Sequence, residues 1–344
     1  MARRRLRTGD AELDALIADL LDKVGVDEDR DLLLDILASA VRLAGDEADR
    51  LDLKIVRAVL REMRAAFAAF APYKDEPKVT IFGSARTMAE DPLYVQTRDL
   101  AKAMADEGWM AVTGAGPGIM AAGLEGAGRD MSFGVTIRLP FEETVSEFIA
   151  GDPKLVSMKY FFTRKVALVK ESAGFVCMPG GFGTLDETFE LLTLLQTGKM
   201  APVPMVLVDV PGGTYWAHWD RFVHSELMTR GLISEGDDCL YRVTDEVAEA
   251  RAELIDFYRV YHSIRWVKNR LVIRLRQEIS DARLEELRAL HDELWGEGVI
   301  ERTQPLPEEV ADDDHLDLPR LLLDVDLRHY GYLRRLIDAL NAPD

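Results

Sequence analysis

The chain has 344 residues, 48% of them hydrophobic, and its 42 Lys and Arg are outnumbered by 61 Asp and Glu for a formal net charge of −19. This size and apolar content exclude a disordered chain and leave room for about two domains, one with a large core. The acidic balance excludes a general binder of nucleic acid or of anionic membranes, and no apolar run is long enough to span a bilayer. A local nucleotide cradle remains compatible with it. The two cysteines, Cys177 and Cys239, lie in or beside apolar strand-like runs and are expected as reduced thiols of a soluble, cytoplasmic protein. Arg3 to Arg7 are basic, but Asp10, Glu12 and Asp14 follow at once, which does not fit a signal peptide.

In chain order, residues 8 to about 73 read as all-helical. Asp10 can cap a helix carrying Leu13, Leu16, Ile17, Leu20 and Leu21; a second starts near Asp27, and a third runs from about Asp46 to Phe70, before Pro72. The period then changes. Val79–Phe82, Trp109–Val112, Phe133–Ile137, Ala173–Met178 and Met205–Val208 read as strands, the third ending in Arg138-Leu139-Pro140. Helices are expected over Leu100–Glu107, from Ile119 through Met120 and Leu124, and over Tyr160–Glu171. Strands alternating with helices predict an α/β fold, a doubly wound, mostly parallel Rossmann-like sheet covered on both faces. Beyond Asp245 the pattern predicts a helix over Glu249–Tyr261, a strand over Leu271–Leu275, a helix over Asp281–Leu294, a loop over 305–315, a strand over Leu321–Val325 and a last helix over Arg328–Leu340. The expected domains are a helical N-terminal extension (1–75), a Rossmann-like α/β domain (76–246) and an α+β C-terminal extension (247–344).

The central stretch is Cys177-Met178-Pro179-Gly180-Gly181-Phe182-Gly183-Thr184-Leu185-Asp186-Glu187. Glycines between a buried strand and a helix start bring bare N–H groups close to a ligand, and the positive end of the helix favours phosphate. Gly180, Gly181, Gly183 and Thr184 are therefore candidate phosphate binders, with Glu187 as an acid expected in the same first turn. The alternative is that Thr184-x-x-Glu187 is a capping box, although a cap does not need three glycines. The turns at 83–86, 113–118 and 179–184 all follow strand ends, the edge where open α/β sheets hold ligands, and should meet in one crevice. Gly114-x-Gly116-x-Gly118 is not a dinucleotide fingerprint, because Ile119 stands in place of the third glycine and no acidic residue ends the next strand. Arg164 lies early in the helix before the central strand. About seven helical residues, roughly 10 Å, lead away from it and the returning strand covers a similar distance, so Arg164 and Glu187 should share one sheet edge. The histidines form no zinc spacing, and there is no serine-nucleophile elbow.

Pro179–Glu187 resembles the P-G-G-x-G-T-x-x-E motif of the LOG family of nucleotide 5'-monophosphate phosphoribohydrolases, whose members often carry a lysine decarboxylase label. Arg164-Lys165 is similar to the family's R-K pair. Phe82–Arg86 and Thr113–Met120 are similar to its first two nucleotide-contacting loops. The resemblance covers about residues 77–245. It implies hydrolysis of the N-glycosidic bond of AMP-like nucleoside 5'-monophosphates to free base and ribose 5-phosphate, without metal or other cofactor. It also implies catalytic roles for Arg164 and Glu187, nucleotide contacts at Gly83, Ser84, Gly114, Gly116, Gly118 and Met120, and a homodimer or larger homo-oligomer. The helical flanks and the Gly-Ala-Gly-Pro-Gly loop depart from the short plant enzymes, which bears on the base preferred. Two other readings stand beside this one: a nucleotide-binding sensor or carrier without turnover, and a pyridoxal-phosphate decarboxylase. The latter needs a Schiff-base lysine that the residues do not identify.

Overall fold

The computed structural model describes residues 8–138, 145–296, 298–325 and 330–343. The Arg3–Arg7 run, the Leu139-Pro140 pair and the expected start of the last helix at Arg328 lie outside these residues. The chain divides into two compact units, residues 1–64 and 65–344.

In the first unit, α1 (Ala11–Val24) begins where the Asp10 carboxylate accepts the N–H groups of Glu12 and Leu13 at 2.8 and 3.2 Å. It stops at Gly25, which takes a left-handed φ of 75°. Arg30 opens α2 (Arg30–Arg42) and reaches back to Asp22 and the Ala18 carbonyl, closing the α1–α2 turn. The Asp49 carboxylate accepts from Leu51 and Asp52 at the start of α3 (Arg50–Phe70), and a single 3₁₀ turn containing Pro72 ends that helix.

The second unit is built on β1 (Lys78–Phe82), β2 (Met110–Thr113), β3 (Ser132–Ile137), β4 (Leu155–Met158), β5 (Gly174–Cys177), β6 (Met205–Val208) and β7 (Arg242–Thr244). They pair in the order β4-β3-β2-β1-β5-β6-β7, every pair parallel. Helices α4 (Pro92–Asp106), α5 (Ile119–Ala127), α6 (Phe161–Lys170), α7 (Phe182–Gln196) and α8 (Tyr215–Phe222) lie in the crossovers, and α9 (Val247–Asp256) follows β7. Alternate strand residues feed opposite cores. Phe82, Val112, Phe175, Cys177 and Leu207 pack under α6, α7 and α8, while Ile81, Ala111, Val176 and Val206 pack under α4, α5 and α9. The doubly wound α/β reading therefore holds. The chain runs outward in one direction from β1 and in the other from β5, so the switch point lies between these two neighbouring strands.

The remaining residues of this unit form an antiparallel sheet, β8 (Tyr261–Val267), β9 (Arg270–Leu275), β10 (Ile300–Arg302) and β11 (Arg320–Leu323), in the order β10-β11-β9-β8. With it pack α10 (Asp281–Trp295), α11 (Pro307–Ala311) and α12 (Tyr330–Asn341). Two expectations need correction here. The helix read over Glu249–Tyr261 ends at Asp256, because the Asn341 side chain accepts the N–H groups of Val260 and Tyr261 and starts a strand there. The 305–315 stretch is more than a surface loop: it carries α11, whose Glu309 is fully buried.

Glu309 accepts from Arg274 at 3.0 and 2.8 Å and lies 3.0 Å from Arg320, and both arginines are buried. Burial works against its charge, but the bonds from Arg274, the Leu306 N–H and Arg320 hold its carboxyl below the ordinary Glu range. A group depressed in the folded state stabilises above its unfolded pKa and loses that contribution as pH falls. Glu309→Ala removes a carboxylate shared by two buried guanidinium groups, of which Arg274 keeps Asp314 at 2.6 Å, and is expected to cost about 3–5 kcal/mol in urea unfolding at neutral pH. The difference from wild type should shrink in acid; a loss that is constant down to pH 3 would show the ion cluster to be irrelevant.

Candidate active site

Strands β2, β1 and β5 are adjacent, and the turn after each reaches the same edge of the sheet. The three turns touch. The Ser84 N–H donates to the Pro179 carbonyl (3.3 Å), and the Ile119 N–H donates to the Ser84 carbonyl (3.0 Å). A Cβ at Gly118, whose φ is +66°, would come within 2.3 Å of the Ser84 oxygen, and one at Gly83 would fall inside the Ile119 side chain. These glycines allow the contact between loops.

The third turn enters α7 with Gly181 as its N-cap residue, and the Leu185 N–H to Gly181 carbonyl bond (3.1 Å) is the first of the helix. The amides of Gly181, Phe182, Gly183 and Thr184 thus have no intrahelical acceptor. Gly181, Phe182 and Gly183 are exposed, while Gly180 and Thr184 lie deeper, the Thr184 hydroxyl occupying the space a Cβ on Gly180 would fill. A rim of free amides at a helix N-terminus suits an anion.

This start of α7 corrects the placement of Glu187. It lies in the second turn, and neither it nor Thr184 occupies the N-cap, so the capping-box reading fails. Glu187 faces inward instead, 6% exposed. Its Oε2 lies 3.6 Å from Nζ of Lys165, which also pairs with Asp186 (2.9 Å) and Glu190 (2.5 Å). Burial raises the Glu187 carboxyl to about 7, against the opposing charges of Lys165 and Arg164. For Lys165, burial is outweighed by the bonds to Glu190 and Asp186 and by the Glu187 charge, which hold the ammonium above its ordinary range.

Arg164 sits in the first turn of α6, half-buried, and its Nε donates to the carbonyl of Val135 within β3 (2.9 Å). Burial lowers its pKa and the Glu187 charge opposes this. A Cβ on Gly114 would lie 2.0 Å from Nη2 of Arg164 and 2.6 Å from the sulfur of Met120, and one on Gly116 would lie 2.8 Å from the Met120 methyl. Gly83, Ser84, Gly114, Gly116, Gly118, Met120, Arg164, Gly180, Gly181, Gly183, Thr184 and Glu187 are all brought to this edge. Two neighbours of these residues were missed. Lys165 is the direct cationic neighbour of Glu187, and Tyr215 donates its hydroxyl to the Gly180 carbonyl (2.7 Å). Lys165 could have been found from its place beside Arg164; nothing local marks Tyr215. Among the described residues, no group of three His, Cys, Asp or Glu side chains could hold a metal ion, and no helix is long and apolar enough to cross a membrane.

A family model described as "Possible lysine decarboxylase" matches residues 107–254. A "Probable cytokinin riboside 5'-monophosphate phosphoribohydrolase" of Oryza sativa subsp. japonica is 27% identical over 168 residues, 48% of this chain and 76% of the relative. One of the same description from Arabidopsis thaliana is 29% identical over 95 residues, 28% of this chain and only 45% of the relative. Among solved structures, the molybdenum cofactor carrier protein of Chlamydomonas reinhardtii is 22% identical, with a TM-score of 0.36, over 52% of this chain and 94% of that one. The resemblance to the LOG family read from Pro179–Glu187 is thereby borne out.

The packing of Arg164 on Gly114 can be tested. Gly114→Ala meets the far ends of two side chains rather than backbone, so the fold should survive with a loss of about 1–3 kcal/mol. Arg164 must move, and binding of nucleoside 5'-monophosphates in calorimetry is expected to weaken at least tenfold. Unchanged affinity would separate Arg164 from ligand binding.

Proposed function

We propose that the protein hydrolyses the N-glycosidic bond of an AMP-like nucleoside 5'-monophosphate, releasing the free base and ribose 5-phosphate. The observation that carries this reading is the pairing of an exposed amide rim at the start of α7 with a buried carboxylate one turn further on. The phosphate is held by the amides and hydroxyl of Gly180, Gly181, Gly183 and Thr184, which fixes the ribose beside Glu187. The loops at Gly83–Ser84 and Gly114–Met120 enclose the rest of the nucleotide. As the bond from C1′ to the base nitrogen breaks, positive charge grows on the ribosyl ring. An ionised Glu187 stabilises that charge and orients the water whose oxygen bonds to C1′, while one proton of that water goes to the departing base. Arg164 and Lys165 lower the carboxyl's pKa against burial, and the balance at about 7 leaves an ionised fraction available near neutrality. The names of the curated relatives describe the same reaction class on cytokinin nucleotides.

The decarboxylase description does not suit the site. Imine formation with pyridoxal phosphate needs a neutral lysine, whereas Lys165 is held protonated among Asp186, Glu187 and Glu190. A carrier would bind nucleotide without turnover, which the same assay distinguishes.

The test is chromatographic detection of free base and ribose 5-phosphate from a panel of nucleoside monophosphates. Glu187→Gln is expected to lower kcat by about 10²–10³-fold, with affinity kept within about tenfold. Because the ionised form acts, kcat/KM should fall on the acid side with an apparent pKa of about 7. Lys165→Met removes a positive neighbour, disfavours the carboxylate and should move that limb upward. A wild-type-like rate in Glu187→Gln would remove the carboxylate from the mechanism.

The proposed assembly is a homodimer or larger. Phe161, Phe162 and Val166 on α6 and Phe182 and Phe189 on α7 are exposed, Phe182 by 93%, as are Leu16, Leu20 and Leu51 of the helical first unit. Light scattering at micromolar concentration should give at least twice 38.6 kDa; the single-chain mass would refute the oligomer.

A further inference from the structure

We infer that Tyr215 is a positioning residue for the phosphate-binding loop, and that Asp209 sets its place. The inference rests on the hydrolase reading above only in naming the ligand as a ribose 5-phosphate ester. Tyr215 opens α8, beyond β6, on the opposite side of β5 from the other two loops. Its hydroxyl donates to the Gly180 carbonyl at 2.7 Å, while the preceding carbonyl, that of Pro179, accepts from Ser84. In a trans peptide the C=O and N–H vectors are antiparallel. Tying back the Gly180 oxygen therefore turns the Gly181 N–H the other way, and tying back the Pro179 oxygen does the same for the Gly180 N–H. Two carbonyls that would repel an anion are withdrawn, and two amides are presented at the start of α7. Backbone donors aimed in advance bind and orient an anion without a reorganisation cost.

The anchor itself is over-determined. The buried Asp209 carboxylate, at the end of β6, accepts the Val210 N–H through Oδ1 and the Tyr215 N–H through Oδ2, both at 2.9 Å. A Cβ on Gly213 would lie 2.2 Å from Oδ1, so the glycine of the Pro211-Gly212-Gly213 turn makes room for this carboxylate. Gln96 donates to the carbonyls of Asp209 (2.8 Å) and Asp245 (2.9 Å), joining the ends of β6 and β7. Tyr215 also meets Trp216 edge-on with ring centroids 4.8 Å apart. The chain thus runs from β6 through Asp209 and Tyr215 to the Gly180 carbonyl.

Tyr215→Phe deletes one hydroxyl and keeps the ring contact. Calorimetry with AMP, adenosine and ribose 5-phosphate is expected to show about tenfold weaker binding of the two phosphorylated ligands, with adenosine unchanged and the melting temperature close to wild type. In turnover, KM should rise about tenfold with kcat within threefold, the pattern of binding lost equally from ground and transition state. Asp209→Asn, which keeps the shape but cannot accept both amides as before, should act in the same direction and supplies the test if the Phe variant does not fold. If wild type binds ribose 5-phosphate but releases no base, the hydrolase reading falls and the brace is still judged on affinity. If Tyr215→Phe binds ribose 5-phosphate as tightly as wild type, or if wild type binds none, the brace is overturned.

Discussion

A carboxylate taken out of water beside a glycine-rich helix N-terminus is the constraint on which the rest of this structure turns. Burial raises the Glu187 carboxyl to about 7 even against the two cations beside it, and an anion at the start of α7 would raise it further. Arg164 and Lys165 oppose both effects from adjacent positions on α6, by different means. Lys165 approaches the carboxylate directly but is shared with Asp186 and Glu190, so part of its charge is already met. Arg164, tied by its Nε to β3 and lying on Gly114, acts at longer range with a guanidinium that cannot lose its proton. Two cations of different character keep one acid near its switching point without locking it in a single ion pair.

That arrangement requires α6 and α7 to meet at one edge of the sheet, and the parallel topology supplies it. β1 and β5 lie side by side where the winding reverses, so the loops after them approach each other while their helices diverge. Close approach of three loops leaves little space, hence the glycines at 83, 114, 118 and 180, where a Cβ would strike a neighbouring loop or side chain. Their spacing in the chain reflects contacts between loops more than any nucleotide fingerprint.

Much of this was legible in the residues because it is local. Strands such as Val79–Phe82 and Met205–Val208 are short apolar runs bounded by turn residues, and Asp10 before a helical stripe is a cap on sight. The parts that were not legible depend on distant partners. Leu155–Met158 and Arg242–Thr244 are edge strands of only four and three residues, too short to stand out locally and defined by pairing with β3 and β6. The aromatic run Phe257–Tyr261 fits a helix locally, but Asn341, eighty residues on, makes Tyr261 the first residue of a strand. Thr184-x-x-Glu187 has the spacing of a cap; only the turn taken at Gly181 moves the helix start three residues earlier and sends Glu187 inside. Glu309 reads as one more acid in an acidic stretch until β9 and β11 bring Arg274 and Arg320 to it.

The same logic gives the C-terminal segment a physical relation to the site. α7 carries the amide rim and Glu187 near its first end, and its last turn is followed by Gly198, with φ +63°. A Cβ there would lie 2.0 Å from the Tyr330 ring at the start of α12, and the Tyr330 hydroxyl accepts from the Trp266 indole at 3.1 Å. The far end of α7 is therefore packed against an element of the second sheet, while its near end is held through Gly180 by Tyr215 and through Pro179 by Ser84. A helix fixed at both ends has little freedom to rotate about its axis, and rotation is the motion that would carry Glu187 away from Lys165. The packing of the antiparallel extension on α7 restricts where the carboxylate can go.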